Sequence, residues 1–272
     1  MPAAVLTPTP HAAPFDAVAA TYDETFTHTL IGGAQRRAAW RELDRAFRSG
    51  QRVLELNCGT GVDAVHLARR GIEVVACDVS PRMIEMARQR LRQSAPSSPV
   101  EFRVLATEEI AVLRDEGPFD GAFSNFAGLN CVANLRFAAS SLAQLLHPGA
   151  PVVLSFAGRF VAWEMLWYLL HGDPRRAFRR LQPGPVPGRI AAGVSVQVHY
   201  PSVHELVRLF APEFRLLRWK GVGVAVPPSY LEPHAQRFPR VLGALEGADR
   251  FAGRVPVLRA LADHVLLTFE RL

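Results

Sequence analysis

The stretch that decides the fold spans residues 53–61 and reads Val53-Leu54-Glu55-Leu56-Asn57-Cys58-Gly59-Thr60-Gly61. Its largely apolar first half predicts a buried strand, and the Gly-x-Gly that follows predicts a tight turn into a helix. Glycine lets a ligand approach the backbone closely, and free N–H groups at the start of a helix attract polar or anionic groups. The stretch therefore predicts a strand, a ligand-binding turn and a helix.

A carboxylate follows the second predicted strand, which ends at Asp78, nineteen positions after Gly59. In this position a carboxylate can accept hydrogen bonds from both hydroxyls of a ribose. Residues 59–64 also fit the G-x-G-x-x-G/A pattern of dinucleotide-binding domains, so NAD(P) and S-adenosylmethionine are both candidate cofactors. Glu55 favours S-adenosylmethionine, because a carboxylate would repel a pyrophosphate and attract the cationic ammonium and sulfonium groups.

Composition bounds the class of protein. The chain has 272 residues, of which 49% are hydrophobic and 21% charged, and these values predict a globular protein and exclude intrinsic disorder. The net charge is +6, but Lys220 is the only lysine among 31 basic residues. Coding bias explains this preference for arginine at least as well as a phosphate-binding face does, so nucleic acid is a disfavoured partner.

Three widely spaced cysteines without a CxxC pair indicate neither a disulfide framework nor a metal site. We find no signal peptide pattern and no apolar run long enough to span a bilayer. These features predict a cytoplasmic protein, with peripheral membrane contact and the oligomeric state left open.

Strands that alternate with helices predict a parallel sheet covered on both faces. We expect a loose N-terminus over residues 1–14, a helical lid and cofactor-binding core over 15–157, a substrate-lid insertion over 158–200, and the last part of the core sheet over 201–272. The first helical segment is expected over residues 15–47, with an interruption near Gly32 and Gly33.

The pattern Glu55-x-Asn57-x-Gly59-x-Gly61 resembles the first motif of the class I S-adenosylmethionine-dependent methyltransferases, with Asn57 in place of the usual first glycine. Asparagine tolerates a positive φ better than most residues. Asp78 is similar to the ribose-binding acid of that family. The resemblance implies an α/β Rossmann-like fold with a seven-stranded sheet in the order 3-2-1-4-5-7-6, one antiparallel strand, and S-adenosylmethionine as cofactor.

Within that family the likeness is greatest to small-molecule enzymes such as the ubiquinone/menaquinone and natural-product methyltransferases. Ala19-Ala20-Thr21-Tyr22-Asp23 is similar to an N-terminal segment whose tyrosine folds over the cofactor. The resemblance implies cofactor contacts from twelve residues: Tyr22, Glu55, Asn57, Gly59, Gly61, Asp78, Val79, Met83, Ala106, Thr107, Asn125 and Phe126.

The expected reaction is methyl transfer to a small, hydrophobic or aromatic acceptor, with S-adenosylhomocysteine as product and O-, C-, N- or S-methylation left open. His28 and His199 are candidate general bases, and His234 is a third. Aromatic residues of the predicted acceptor pocket are Trp163, Trp167, Tyr200 and Tyr230, and the basic run over residues 175–180 has no assigned role. Two alternatives stay open, an RNA-modifying methyltransferase and a NAD(P)-binding oxidoreductase.

Overall fold

A computed structural model describes residues 13–272, so most of the predicted loose segment 1–14 lies outside the described residues. The helices are α1 Leu30–Ala46, α2 Val62–Ala68, α3 Pro81–Ser94, α4 Leu135–Ala143, α5 Ala162–Leu170, α6 Pro174–Ala177, α7 Val203–Phe210, α8 Glu232–Arg237 and α9 Pro239–Ala252. The strands are β1 Arg52–Leu56, β2 Glu73–Asp78, β3 Val100–Val104, β4 Gly121–Ser124, β5 Pro151–Ala157, β6 Val186–Ala191, β7 Val194–Val198, β8 Phe214–Val222 and β9 His264–Arg271. Shorter helical turns include Pro14–Ala17, Asp23–Thr27 and Thr107–Glu116.

The main sheet has seven strands in the order β3-β2-β1-β4-β5-β9-β8. Strands β1 to β5 pair in parallel, whereas β9 lies antiparallel between β5 and β8. Strands β6 and β7 form a separate hairpin, so β8 and β9 are the sixth and seventh strands of the main sheet. The order is therefore the predicted 3-2-1-4-5-7-6 with one antiparallel strand, and the expected Rossmann-like architecture is confirmed. The carboxyl ends of β1, β2 and β4 therefore meet the start of β9 at one edge of the sheet.

Alternation along each strand divides the core between the two faces of the sheet. On β1, Leu54 and Leu56 pack with α4 and α7 on one face, whereas Val53 packs with α1, α2 and α3 on the other. Because apolar layers cover both faces, the central strands β1, β4 and β5 are buried almost throughout, which explains why β1 reads as a buried run.

The predicted interruption of the first helical segment lies earlier than expected. Helix α1 runs unbroken through Gly32 and Gly33, and it begins at Leu30 after Thr29, whose side chain accepts a hydrogen bond from the Gly32 N–H. A Cβ at Gly32 would lie 2.0 Å from the Phe26 carbonyl oxygen. The glycine thus permits close approach of the preceding turn and does not break the helix.

Residues 158–200 carry α5, α6 and a separate two-stranded hairpin, β6–β7. The alternating pattern over 194–200 predicts β7, but β6 was not predicted because Pro187 and Gly188 lie inside it. Proline is tolerated here because the hairpin is outside the main sheet and each of its strands has only one neighbour.

Candidate active site

The glycine turn after β1 takes the left-handed backbone that its sequence predicts. Asn57, Gly59 and Gly61 all have positive φ, at 55°, 53° and 73°. A Cβ at Gly61 would lie 2.7 Å from the Phe102 ring, so this position requires glycine for space as well as for conformation.

Asn57 holds neighbouring strand ends together. Its Oδ1 is 3.3 Å from the hydroxyls of Thr107 and Ser124, which donate to it from beyond β3 and from the end of β4. A glycine could not make these contacts. The departure from the usual first glycine therefore gives the turn two additional side-chain hydrogen bonds.

Asp78 lies at the end of β2 and accepts two backbone hydrogen bonds. The Gly59 N–H donates to its Oδ2 and the Ser80 N–H to its Oδ1, each over 2.9 Å. Burial raises the pKa of this carboxyl group. These bonds place one carboxylate against the glycine turn, in the position predicted for the ribose-binding acid.

A cavity of about 440 Å³ opens at this edge of the sheet. Its walls are the glycine turn, the end of β2, the loop after β4, the N-terminal turns and the middle of β7. The lining residues are Pro14, Phe15, Tyr22, Arg36, Asn57, Cys58, Gly59, Thr60, Val62, Asp63, Asp78, Val79, Met83, Asn125, Phe126, Gly128, Cys131, Ser195, Val196 and Gln197. We call this space the cofactor cavity.

A buried ion pair lies in its wall. Arg36 of α1 donates to Asp63 of α2 over 2.8 Å, and Asp63 also accepts from Trp40 Nε1 at 2.6 Å and from Asn125 Nδ2 at 3.0 Å. Burial alone would raise the pKa of Asp63, but the charge of Arg36 and these hydrogen bonds outweigh it, and the pKa is lowered. Asp63 is thus held ionised.

The environment of Glu55 shifts its pKa in the opposite direction. It is 1% exposed, and burial together with the charge of Asp63 raises its pKa well above the usual value for glutamate. Within the described residues its Oε2 has no hydrogen-bond partner, and the same holds for Asn125 Oδ1 and Arg36 Nε. Buried polar atoms rarely lack partners, so this cluster fits a ligand that supplies both donors and acceptors.

These groups suit S-adenosylmethionine. Its ammonium group donates hydrogen bonds, which Asn125 Oδ1 in the cavity wall can accept, and its carboxylate accepts from a guanidinium such as Arg36. Asp78 faces the same cavity with a carboxylate suited to a ribose. When bound, the cofactor supplies an electrophilic methyl group; the residues of this chain bind and orient it.

Two aspartates hold the N-terminal turns over the cavity through hydrogen bonds to the core. Asp16 accepts from the Ser80 hydroxyl and from the Arg82 N–H at the start of α3. Asp23 accepts from the Thr60 hydroxyl at 2.7 Å and also from Arg90. Phe15 and Tyr22, which line the cavity, lie beside these anchors. We call residues 13–28 the N-terminal lid.

Eight of the twelve predicted cofactor residues line the cavity, namely Tyr22, Asn57, Gly59, Asp78, Val79, Met83, Asn125 and Phe126. Glu55 lies buried behind it, and Gly61 shapes the turn. Thr107 is buried and bonds Asn57, while Ala106 is half-buried just before it. These four are not among the cavity-lining residues.

The predicted bases and acceptor residues lie elsewhere. His28 is exposed at the end of the Asp23–Thr27 turn, and His199 and Tyr200 line a second cleft of about 530 Å³. Trp163 and Trp167 line a third, apolar pocket of about 260 Å³, against which His234 also packs. Tyr230 packs against Trp167, with ring centroids 6.1 Å apart. The structure brings none of them into the wall of the cofactor cavity.

Several site residues were not predicted from the sequence. Arg36 and the hairpin residues Ser195, Val196 and Gln197 carry no motif, whereas Asp63 follows the glycine turn closely enough to have been a candidate. His264 begins β9 at the same edge of the sheet, and its ring packs edge-on against Phe126 at 5.8 Å. Its position at the first residue of the last strand is the signal that could have identified it.

Residues 13–272 contain no cluster of three or more histidine, cysteine, aspartate or glutamate side chains that could hold a metal ion. None of the helices in this range has the length and apolar character of a membrane span.

Comparisons with known proteins agree with this geometry. Residues 53–149 match a family model described as a methyltransferase domain. A tRNA 5-carboxymethoxyuridine methyltransferase of Escherichia coli (strain K12) is 29% identical over 179 residues, which cover 62% of this chain and 68% of that protein. A demethylmenaquinone methyltransferase of Clavibacter sepedonicus is 35% identical over 143 residues, which cover 52% of this chain and only 55% of that protein.

Among solved structures, a SAM-dependent methyltransferase of Methanosarcina mazei has the same fold. Its TM-score is 0.57 at 17% identity, with 85% of this chain and 96% of that chain covered. The matched segment contains the glycine turn and Asp78, around which the cofactor cavity is built. The family match over residues 53–149, the strand order and this cavity together show that the chain contains a methyltransferase domain of the class I, S-adenosylmethionine-dependent type.

Proposed function

We propose that the protein transfers the methyl group of S-adenosylmethionine to a small, apolar or aromatic acceptor. One observation carries this proposal, the apolar part of the lining of the cofactor cavity. Beside the polar Ser195 and Gln197, the lining includes Phe15, Phe126, Cys131 and Val196, which offer apolar surface to an acceptor. The demethylmenaquinone methyltransferase similar to this chain is named for an acceptor of that kind.

The same walls argue against an RNA acceptor, although one relative is named as a tRNA methyltransferase. A polynucleotide needs unpaired cations near the reacting base, because phosphate contacts supply much of its affinity. Among the residues that line the cavity in the described part of the chain, the only basic side chain is Arg36, which is buried and neutralised by Asp63. The cavity therefore suits an uncharged acceptor better than a polynucleotide.

Positioning is the main contribution that we assign to the protein. Holding an acceptor in line with an electrophilic methyl group makes the step effectively unimolecular, which can supply most of the acceleration. No histidine lines the cavity within residues 13–272, so His28 and His199 stay predictions as general bases. Trp163, Trp167, Tyr200 and Tyr230 likewise stay predictions as acceptor contacts.

The proposal is tested by offering the protein radiolabelled S-adenosylmethionine with two sets of acceptors. One set contains phenols, hydroquinones and apolar thiols; the other contains tRNA purified from cells, which carries modified uridines, and unmodified tRNA transcripts. We expect label in the organic extract of the first set and none in precipitated RNA. Label in RNA alone would contradict the proposal, and an Asp78→Asn variant controls for label that does not depend on the cofactor cavity.

A further inference from the structure

Helix α5 buries its charged residue and exposes its leucines. Its one charged residue, Glu164, is 2% exposed, whereas Leu166, Leu169 and Leu170 are 55%, 48% and 75% exposed. The Glu164 carboxylate accepts from Arg179 at 2.9 Å and from Arg180 at 2.6 Å, so the charge is satisfied inside the protein. A surface helix ordinarily turns its leucines inward, and this one turns them outward.

The exposed leucines belong to a larger apolar surface. The third pocket, which Trp163 and Trp167 line, is bounded on the other side by Phe238 and Val241, and both of these are about half exposed. The members of this surface are Leu166, Leu169, Leu170, Phe178, Tyr230, Phe238 and Val241. We call it the α5 surface. None of its members lines the cofactor cavity.

Arginines border the α5 surface. Arg176 lies over the Tyr168 ring at 5.8 Å and Arg237 over the Phe238 ring at 5.5 Å, and Arg175 is exposed beside them. The acidic groups of the packed elements are already engaged. Glu164 pairs with two arginines, Glu232 accepts from the backbone of α1, and Asp173 caps α6 and pairs with Arg176 at 3.3 Å. Arg175 and Arg237 have no ion-pair partner among residues 13–272, so the border is net positive.

We propose that the α5 surface binds the surface of an anionic phospholipid bilayer. Exposed apolar side chains on a helix lying in the membrane plane enter the headgroup region, and arginines at its edge contact the phosphates. Helix α5 exposes its leucines, has arginines at its border and buries its one acidic residue. It therefore offers both an apolar face for the headgroup region and cations for the lipid phosphates. Contiguous exposed apolar patches of this kind on soluble domains mark interaction sites. The proposal goes beyond the methyl-transfer reaction and does not depend on the identity of the acceptor.

The test is co-sedimentation of the full chain with vesicles of phosphatidylcholine, either pure or with added phosphatidylglycerol. We expect binding to the anionic vesicles that weakens with salt, and much weaker binding to pure phosphatidylcholine. Leu166→Glu with Leu170→Glu should reduce binding at least tenfold, and Arg175→Glu with Arg176→Glu should remove the preference for anionic vesicles. The matched controls are Val112→Glu, at an apolar residue exposed elsewhere, and Arg69→Glu with Arg92→Glu.

Thermal stabilisation of each variant by S-adenosylhomocysteine shows that it is folded. Absence of binding to anionic vesicles by the parent chain would overturn the proposal, as would parent-like binding by the leucine variant. A second copy of this chain is the other occupant that the surface fits. If the leucine variant only turns a dimer into a monomer in light scattering, with vesicle binding unchanged, the surface is a dimer interface and the proposal is wrong.

Discussion

At the scale of single residues, the side chains of Asp78 and Glu55 near the strand ends differ in their hydrogen-bond partners. Asp78 accepts two backbone N–H groups, whereas Glu55 is buried with one oxygen unpartnered within the described residues. The Asp78 carboxylate is preorganised by these bonds. Glu55 lies behind the cavity wall, where a cationic ligand group in the cavity would favour its ionised form.

Asp78→Asn should weaken S-adenosylhomocysteine binding by about 10- to 100-fold, because a hydrogen bond to a charged group contributes roughly 1.5–3 kcal/mol. The new amide would also face the N–H groups of Gly59 and Ser80. Isothermal titration calorimetry measures the change. Glu73→Gln, at the exposed start of the same strand, is the control and should bind like the parent. Equal affinities of the two variants would contradict the assignment of Asp78.

Glu55 should lose a proton when S-adenosylmethionine binds. Its pKa is raised well above the usual value, mainly by burial, which favours the neutral form in the empty site, whereas a nearby ammonium would favour the ionised form. Affinity should therefore rise as the pH rises through that pKa. Calorimetry in two buffers of different ionisation enthalpy measures the released proton. Glu55→Gln should abolish the buffer dependence; if it persists in the variant, another group is responsible.

Removal of Arg36 should destabilise the fold. Arg36→Met leaves the buried Asp63 carboxylate without its cation, which typically costs about 3–5 kcal/mol of unfolding free energy. In the parent, the lowered pKa of Asp63 gives stability that is present above its unfolded pKa and is lost as the pH falls through the folded value. Urea titrations measure both effects. Adding Asp63→Asn to Arg36→Met should recover at least half of the loss, and no recovery would mean that Arg36 acts through packing alone.

At the scale of elements, the N-terminal lid depends on side chains of the core. Asp23 joins it to the glycine turn through Thr60 and to α3 through Arg90. Asp23→Asn should raise the dissociation rate of S-adenosylhomocysteine about tenfold, because one charge-assisted bond is weakened. Stopped-flow displacement measures the rate. Glu24→Gln changes an exposed neighbouring carboxylate and should have no effect. Equal dissociation rates in the two variants would contradict the role of Asp23 in holding the N-terminal lid.

Helices and strands with strong local signals were predictable. Ser80 and Ser202 cap α3 and α7 as their sequences indicate, because a serine hydroxyl before an apolar period satisfies a free N–H group. The start of α1 and the strand β6 were not predictable. The first depends on close approach of Phe26 to Gly32, and the second on pairing with β7. Both are contacts between neighbouring segments of the chain, which the propensities of single residues do not capture.

At the scale of the whole molecule, the last strand of the chain lies inside the sheet. β9 pairs with β5 over seven positions and also with β8, so the fold closes only when the end of the chain is in place. Deletion of residues 264–272 should prevent cooperative unfolding, because β5 and β8 lose their shared partner. Circular dichroism during heating measures this. Deletion of exposed Leu272 alone should leave the transition intact, and cooperative unfolding of the longer deletion would contradict the proposed role of β9.

The sequence alone determined the cofactor half of this site. Glu55, Asn57, Gly59, Gly61 and Asp78 lie at or directly after the ends of the consecutive strands β1 and β2, and the ends of parallel strands meet at one edge whatever the rest of the chain does. Only the tertiary structure decided what else faces that edge. Arg36 reaches Asp63 from another helix, the hairpin reaches the cavity from the insertion, and the aromatic residues expected there lie at two other pockets. Those placements depend on how α1, α5 and β7 pack against distant parts of the chain, and no short pattern in the sequence encodes that packing.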